Sequence, residues 1–204
     1  MRKTQFLISL VVISSIIMIV PSTPVVTAAP AINCGPSAFD NYCEGTNGND
    51  IIKGTNEKDY IDGKDGNDKI IGLDGCDTIR GGNGNDIIDG GGDGECAILG
   101  DDGDDILNGG PGNDDEVIGG DGNDKVSGGP GDDVSLGGGK GDDIIDGGSG
   151  NDVIFHGDQF GSETDSDGGH DIIDCGPGND IATINVGTDG DEVKNCETVH
   201  TESD

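Results

Sequence analysis

From Gly45 onward, a large aliphatic residue returns every ninth or tenth place, with mostly polar residues on either side of it. Ile52, Ile61, Ile70, Ile79 and Ile88 are nine apart, and Ile98, Leu107, Val126, Ile145, Ile154 and Ile173 continue the row through small slips. The flanking places include Lys53, Asp62, Lys69, Asp89, Lys125 and Asp146. Such alternation predicts a very short strand that buries one side chain and wets its two neighbours. Between the strands lie six residues rich in glycine and closed by Asp, as in Gly81-Gly-Asn-Gly-Asn-Asp86 and Gly147-Gly-Ser-Gly-Asn-Asp152. Glycine adopts positive φ without steric cost, so each hexamer predicts a sharp turn with exposed carbonyls. One turn and one strand cannot bury anything alone, so the units must stack. Two units close a coil of 18 residues, and coils stack about 4.8 Å apart. The expected interior is a thin column of Ile, Leu and Val between two sheets.

Units numbered from their first glycine begin at Gly45, Gly54, Gly63, Gly72 and Gly81, then at Gly91, Gly100, Gly109, Gly119, Gly128, Gly138 and Gly147. An interruption from His156 to Asp167 follows, and two further units fit at Ser166 and Cys175. In this register the sixth place is Asp in every unit except one, where Cys96 stands. The eighth place is broken by Ser135, and the unit holding Asp115 and Glu116 carries its apolar pair one residue late.

Stacking places the sixth-position Asp of each unit beside that of the unit two further on, for example Asp68 beside Asp86. Like charges that close in a partly dehydrated turn repel strongly. A hard cation between them reverses the sign. Calcium accepts six to eight oxygens from carboxylates and carbonyls in a flexible cage, whereas magnesium demands a tighter octahedron and keeps its waters. The turn offers the calcium set.

Composition sharpens this picture. Acidic residues number 42 against 10 basic ones, for a net charge of −32, and there is no Trp. Low hydrophobicity with such charge ordinarily marks disorder. Here the carboxylates are periodic and in phase with the aliphatics, so a bound cation can supply the missing stability. The same charge excludes nucleic acid as a partner, because phosphates would be repelled.

The first thirty residues follow another pattern. Arg2 and Lys3 precede an apolar run from Phe6 to Val20, then Pro21 and the small-residue stretch Val26-Thr-Ala-Ala29. That order predicts a secretory signal peptide over 1–29, removed on export. The run is short for a membrane span, which needs about 20 apolar residues. An uncleaved anchor is the alternative. Six Cys behind an export signal favour disulfides. Proximity in the chain pairs Cys34 with Cys43, Cys76 with Cys96 and Cys175 with Cys196. Zinc is a weak rival, since no Cys-x-x-Cys occurs.

The units resemble the RTX (repeats-in-toxin) nonapeptide Gly-Gly-x-Gly-x-Asp-x-U-x, where U is a large aliphatic residue. The resemblance covers Gly45 to Thr183. It implies an all-β, right-handed parallel β-roll with several calcium ions in the turns, held by the sixth-position Asp and turn carbonyls. The implied metal ligands are Asp50, Asp68, Asp77, Asp86, Asp105, Asp114, Asp124, Asp133, Asp143, Asp152, Asp171 and Asp180. Asp59 is left out, because its unit, Gly54-Thr-Asn-Glu-Lys-Asp59, lacks the second and fourth glycines. Cys96 removes a ligand from its unit. Thr46, Thr55, Lys64, Leu73 and Asp101 replace the second glycine elsewhere. The organisation is then a leader over 1–29, an N-terminal cap over 30–44 with Cys34 and Cys43, the roll over 45–183, and a capping strand and tail over 184–204.

No room is left for a catalytic domain, and His-Glu-x-x-His, Gly-x-Ser-x-Gly and Gly-Lys-Ser/Thr motifs are absent from the sequence. The carboxylate pairs belong to repeated turns, without the aromatic platform a sugar would want. The expected function is a secreted, monomeric, non-enzymatic calcium-binding protein that folds on its metal. The alternative is a calcium-stiffened surface rod, structural or adhesive, with the interruption as its contact to an extracellular partner.

Overall fold

The computed structural model describes residues 31–35, 41–155, 169–185 and 190–202. The leader and the interruption from His156 to Asp167 lie outside the described residues, so neither expectation is addressed by it. Every regular element described is a β-strand.

Alternate strands go to opposite sheets. One nine-stranded sheet holds, in order, β1 (Ala31–Asn33), β3 (Ile51–Lys53), β5 (Lys69–Asp74), β7 (Ile87–Gly92), β9 (Ile106–Asn108), β11 (Lys125–Pro130), β13 (Ile144–Ser149), β15 (Ile172–Asp174) and β17 (Glu192–Lys194). The other holds β2 (Asn41–Glu44), β4 (Asp59–Asp65), β6 (Thr78–Asn83), β8 (Ala97–Asp102), β10 (Val117–Asp121), β12 (Leu136–Lys140), β14 (Val153–Phe155), β16 (Ile181–Asn185) and β18 (Thr198–Glu202). All pairings are parallel. The chain therefore climbs a β-solenoid, one nonapeptide per sheet and two per coil, the β-roll that the periodicity predicts.

Register explains the core. Ile52 pairs with Ile70, Ile70 with Ile88 and Ile88 with Leu107 on one sheet, while Ile61 pairs with Ile79 and Ile79 with Ile98 on the other. These side chains are buried and face one another across the coil. A parallel strand of three to seven residues is weak alone, and the continuous apolar column is what holds the stack. Cys34, Cys43 and Cys175 are buried members of the same column, and Cys196 packs against it.

Of two expectations about phase, the first is corrected and the second, the late apolar pair after Glu116, is met. The inward residue of the unit begun at Gly128 is Leu136, fully buried, with Ser135 merely displaced beside it. In the preceding unit of that sheet the inward residue is Val117, paired with Ile98. Each strand has one extra residue inserted before it, a bulge that leaves the column intact. The three disulfides are Cys34–Cys43, Cys76–Cys96 and Cys175–Cys196, as the spacing predicts.

Candidate metal centre

The glycine hexamers form the corners of the coil, where backbones of successive coils approach too closely for side chains. A Cβ on Gly84, which has φ of +125°, would run into the carbonyl of Gly66 one coil below. A Cβ on Gly81 would meet both the second carboxylate oxygen of Asp86 and the carbonyl of Gly100 one coil above. Only glycine leaves that space open, and into it an Asp oxygen and a carbonyl oxygen converge from two successive coils. The same convergence recurs at Gly63, Gly72, Gly100, Gly119 and Gly128.

The closing Asp residues line up as two ladders, one at each edge of the roll. In the first, the backbone N–H of Asp50 donates to Asp68 Oδ1, and the bonds continue through Asp86, Asp105, Asp124, Asp143 and Asp171 to Asp191, at 2.7–3.1 Å. In the second, Asp59 donates to Asp77, and the series runs through Glu95, Asp114, Asp133, Asp152 and Asp180 to Glu197, at 2.6–3.0 Å. All twelve residues of the expected ligand set stand in these ladders.

Four rungs were not in that set: Asp59, Glu95, Asp191 and Glu197. Glu95 overturns the reading of Cys96. Its Oε2 accepts the Asp77 N–H at 3.0 Å and its own N–H donates to Asp114 Oδ1 at 2.6 Å. The unit accordingly begins at Gly90, because Gly91 pairs with Leu73, the second residue of its own unit. Cys96 is the inserted residue: its N–H and that of Ala97 both donate to the Asp77 carbonyl. The carboxylate one place before Cys96 was the available signal. At the far end, Asp191 directly precedes β17, as Asp171 precedes β15 and Asp180 precedes β16.

The second oxygen of most rungs has no hydrogen-bond partner. Oδ2 of Asp68, Asp77, Asp86, Asp105, Asp114, Asp124, Asp133, Asp152 and Asp180, with Oε1 of Glu95, is buried without a bond. A buried carboxylate oxygen without a donor carries a penalty of several kcal/mol if charged. Burial is the largest cause raising the carboxyls of Asp68, Asp77, Asp86, Glu95, Asp105, Asp114, Asp124, Asp133 and Asp152, partly offset by the bond from the N–H of the rung below, with neighbouring carboxylates adding a further push upward. Glu95 and Asp105 are raised to about 8, and Asp77, Asp86, Asp114, Asp124, Asp133 and Asp152 to about 6.

Such a column of unpaired oxygens, opposite carbonyls and in space that only glycine leaves open, fits a hard divalent cation. Among the described residues no three His, Cys, Asp or Glu side chains gather at one point. Each rung contributes one carboxylate, so the rest of a calcium shell falls to turn carbonyls and the neighbouring rung, which is the all-oxygen chemistry calcium favours.

Fold and site together define a calcium-binding parallel β-roll. The profile of the RTX calcium-binding nonapeptide repeat matches residues 44–75, 62–94, 98–116, 112–139 and 135–161, more than half of the chain. The chain belongs to that family, whose repeats bind multiple calcium ions. No curated protein matches it as a relative.

Proposed function

We propose that this is a secreted, non-enzymatic protein whose roll is assembled by calcium, with the twelve Asp residues named from the sequence and the additional rung Glu95 as its carboxylate ligands. The observation that carries the reading is the column of buried carboxylate oxygens without hydrogen bonds. Metal-free, those oxygens oppose folding; with calcium between rungs they favour it. Each ion bound only by the folded form adds stability by mass action, RT ln(1 + [L]/Kd). A Kd of about 10⁻⁴ to 10⁻³ M is usual for extracellular modules. The three disulfides support an oxidising compartment. Among the described residues the buried carboxylates all stand in the ladders, and His170 and His200 are exposed, which supports a binding rather than a catalytic role. Circular dichroism of the exported form is the test. Coil in chelator and β structure in millimolar calcium are expected, and identical spectra would sink the reading.

A second reading, a calcium-stiffened surface rod, rests on one observation. Ile51, Ile87, Ile106 and Ile144 point outward from one sheet, each more than 40% exposed. Binding of the calcium-loaded protein to cell-surface extracts, lost on Ile87→Glu/Ile106→Glu, would favour the rod.

A further inference from the structure

Among the described residues, five units carry a side chain where the second glycine of the turn should be, and the structure sorts them into two kinds. Lys64, Leu73 and Asp101 take φ of +80°, +91° and +72°. A left-handed backbone costs a residue with a Cβ about 1–2 kcal/mol. Bearing it keeps the glycine geometry, since the Lys64, Leu73 and Asp101 carbonyls stack against Gly82, Gly91 and Gly120 of the next coil. In those three units the closing Asp68, Asp77 and Asp105 each keep a buried oxygen with no bond.

Thr46 and Thr55 behave otherwise. Neither has positive φ. Their backbone N–H groups turn inward and donate to the closing Asp at 2.6 Å: Thr46 to Asp50 Oδ2 and Thr55 to Asp59 Oδ2. Their hydroxyls donate to the same oxygens at 2.9 and 3.0 Å. The oxygen left without a bond in the other units thus receives two donors here. Asp50 has no buried oxygen without a bond, while Asp59 retains one, Oδ1.

We propose that the second turn position decides whether a turn holds calcium, and that Thr46 and Thr55 close the two N-terminal turns, giving the roll a first coil that stands without metal. The inference rests on the calcium reading above. It removes Asp50 from the ligand set and keeps Asp59 outside it. The physical reason is substitution of one partner for another. A carboxylate oxygen satisfied by an amide and a hydroxyl has met its desolvation penalty already, and a cation would have to displace both bonds. The left-handed units offer no such donors. The first coil is also closed by Cys34–Cys43, so it can serve as a template on which later coils add as calcium arrives.

The test uses the full exported chain with its disulfides intact. Native mass spectrometry counts bound calcium in the wild type, in Thr46→Gly/Thr55→Gly and in Thr46→Ser/Thr55→Ser. The glycine pair is expected to gain one or two ions and the serine pair none. Hydrogen exchange of the wild type in chelator is the second arm. Amides from Asn41 to Asp65 are expected to exchange at least about tenfold more slowly than those of β8 to β14. Equal ion counts in all three proteins, or uniform exchange along the chelated wild type, would overturn the inference while leaving the calcium reading in place. No bound calcium in any of them would overturn both. If the glycine pair does not fold, the exchange arm decides.

Discussion

At the scale of the residue, two properties of most rung carboxylates set the behaviour of the protein: burial and a single hydrogen bond. In the metal-free roll Glu95 and Asp105 titrate near 8 and most neighbouring rungs near 6, against ordinary carboxylate values near 4. The folded values lie above the unfolded ones, so the folded state binds more protons. That contribution is fully present below about pH 4 and is lost as pH rises through 6 to 8. The calcium-free protein should gain β structure on acidification from pH 8 to pH 4, measured by circular dichroism after exhaustive dialysis. Calcium must displace those protons, so its affinity should fall over the same window, and calorimetry in buffers of different ionisation enthalpy should register proton release. Failure of acid to restore any structure would count against the carboxylate penalty. A substitution separates the two roles of one rung. Asp124→Asn preserves an acceptor for the Asp105 N–H and places an amide donor among the turn carbonyls. Metal-free stability should rise by about 1–3 kcal/mol, while the calcium-loaded protein loses an ion and melts lower. The variant's calcium-loaded melt should fall, while its calcium-free β structure, read by circular dichroism on acidification, should appear at a higher pH than in the parent. Most rungs were legible because Asp recurs at one place per unit. Glu95 was not, because the extra methylene lets Glu fill a rung in a unit whose inserted residue hides the phase.

Elements in this fold are minimal, and their regularity comes from stacking. Ile88 shows the dependence: it is almost fully buried between Ile70 and Leu107 of adjacent coils. Ile88→Ala should cost about 2–5 kcal/mol in saturating calcium, read from denaturant melts. The loss should be local, since each coil contacts only its neighbours. The aliphatic row was therefore readable from the sequence, strand by strand. The slips were visible too, but not where the extra residues go. In β8, β10 and β12 the extra residue follows the rung, after Glu95, Asp114 and Asp133, so three bulges stack in consecutive coils of one sheet. Register across them is preserved, with Ile98, Val117 and Leu136 aligned. A count along the chain gives only the spacing between fixed points, whereas the position of a bulge is settled by which neighbouring strand has a matching one. Deleting residue 115 alone would oppose a regular strand to bulged ones on both sides. It should destabilise more than the paired deletion of residues 115 and 134, which leaves only the bulge at Cys96 between regular strands, two boundaries where the single deletion makes four. Equal or additive losses in melts of the two variants would show the bulges to be independent.

For the whole molecule, the two ends are the exposed points. A solenoid leaves its outermost strands without partners, and such edges invite pairing with another chain. Here β1 and β2 form one end and β17 and β18 the other. Disulfides sit at both: Cys34–Cys43 beside β1 and β2, Cys175–Cys196 beside β17 and β18, each with at least one sulfur residue buried at the end of the apolar column. Cys175 stands in the first turn position, where most units have glycine, and its disulfide ties that turn to Cys196 of the last coil. The C-terminal end is thus closed by covalent chemistry, much as the N-terminal turns are closed by threonine hydroxyls. A chain loop of about 20 residues makes such a bond worth about 3 kcal/mol. Cys175→Ser/Cys196→Ser should then detach β17 and β18 in millimolar calcium, uncovering Ile173 and Ala182. Hydrogen exchange should accelerate from β15 onward and stay unchanged in β6 to β10, because the stack is one-dimensional. The uncovered edge should also draw copies together, so sedimentation should show dimers or larger species for the variant and monomers for the parent. Uniform acceleration along the chain would mean that the roll melts as one unit. An unaltered variant would mean that rungs Asp191 and Glu197 hold the cap without the disulfide.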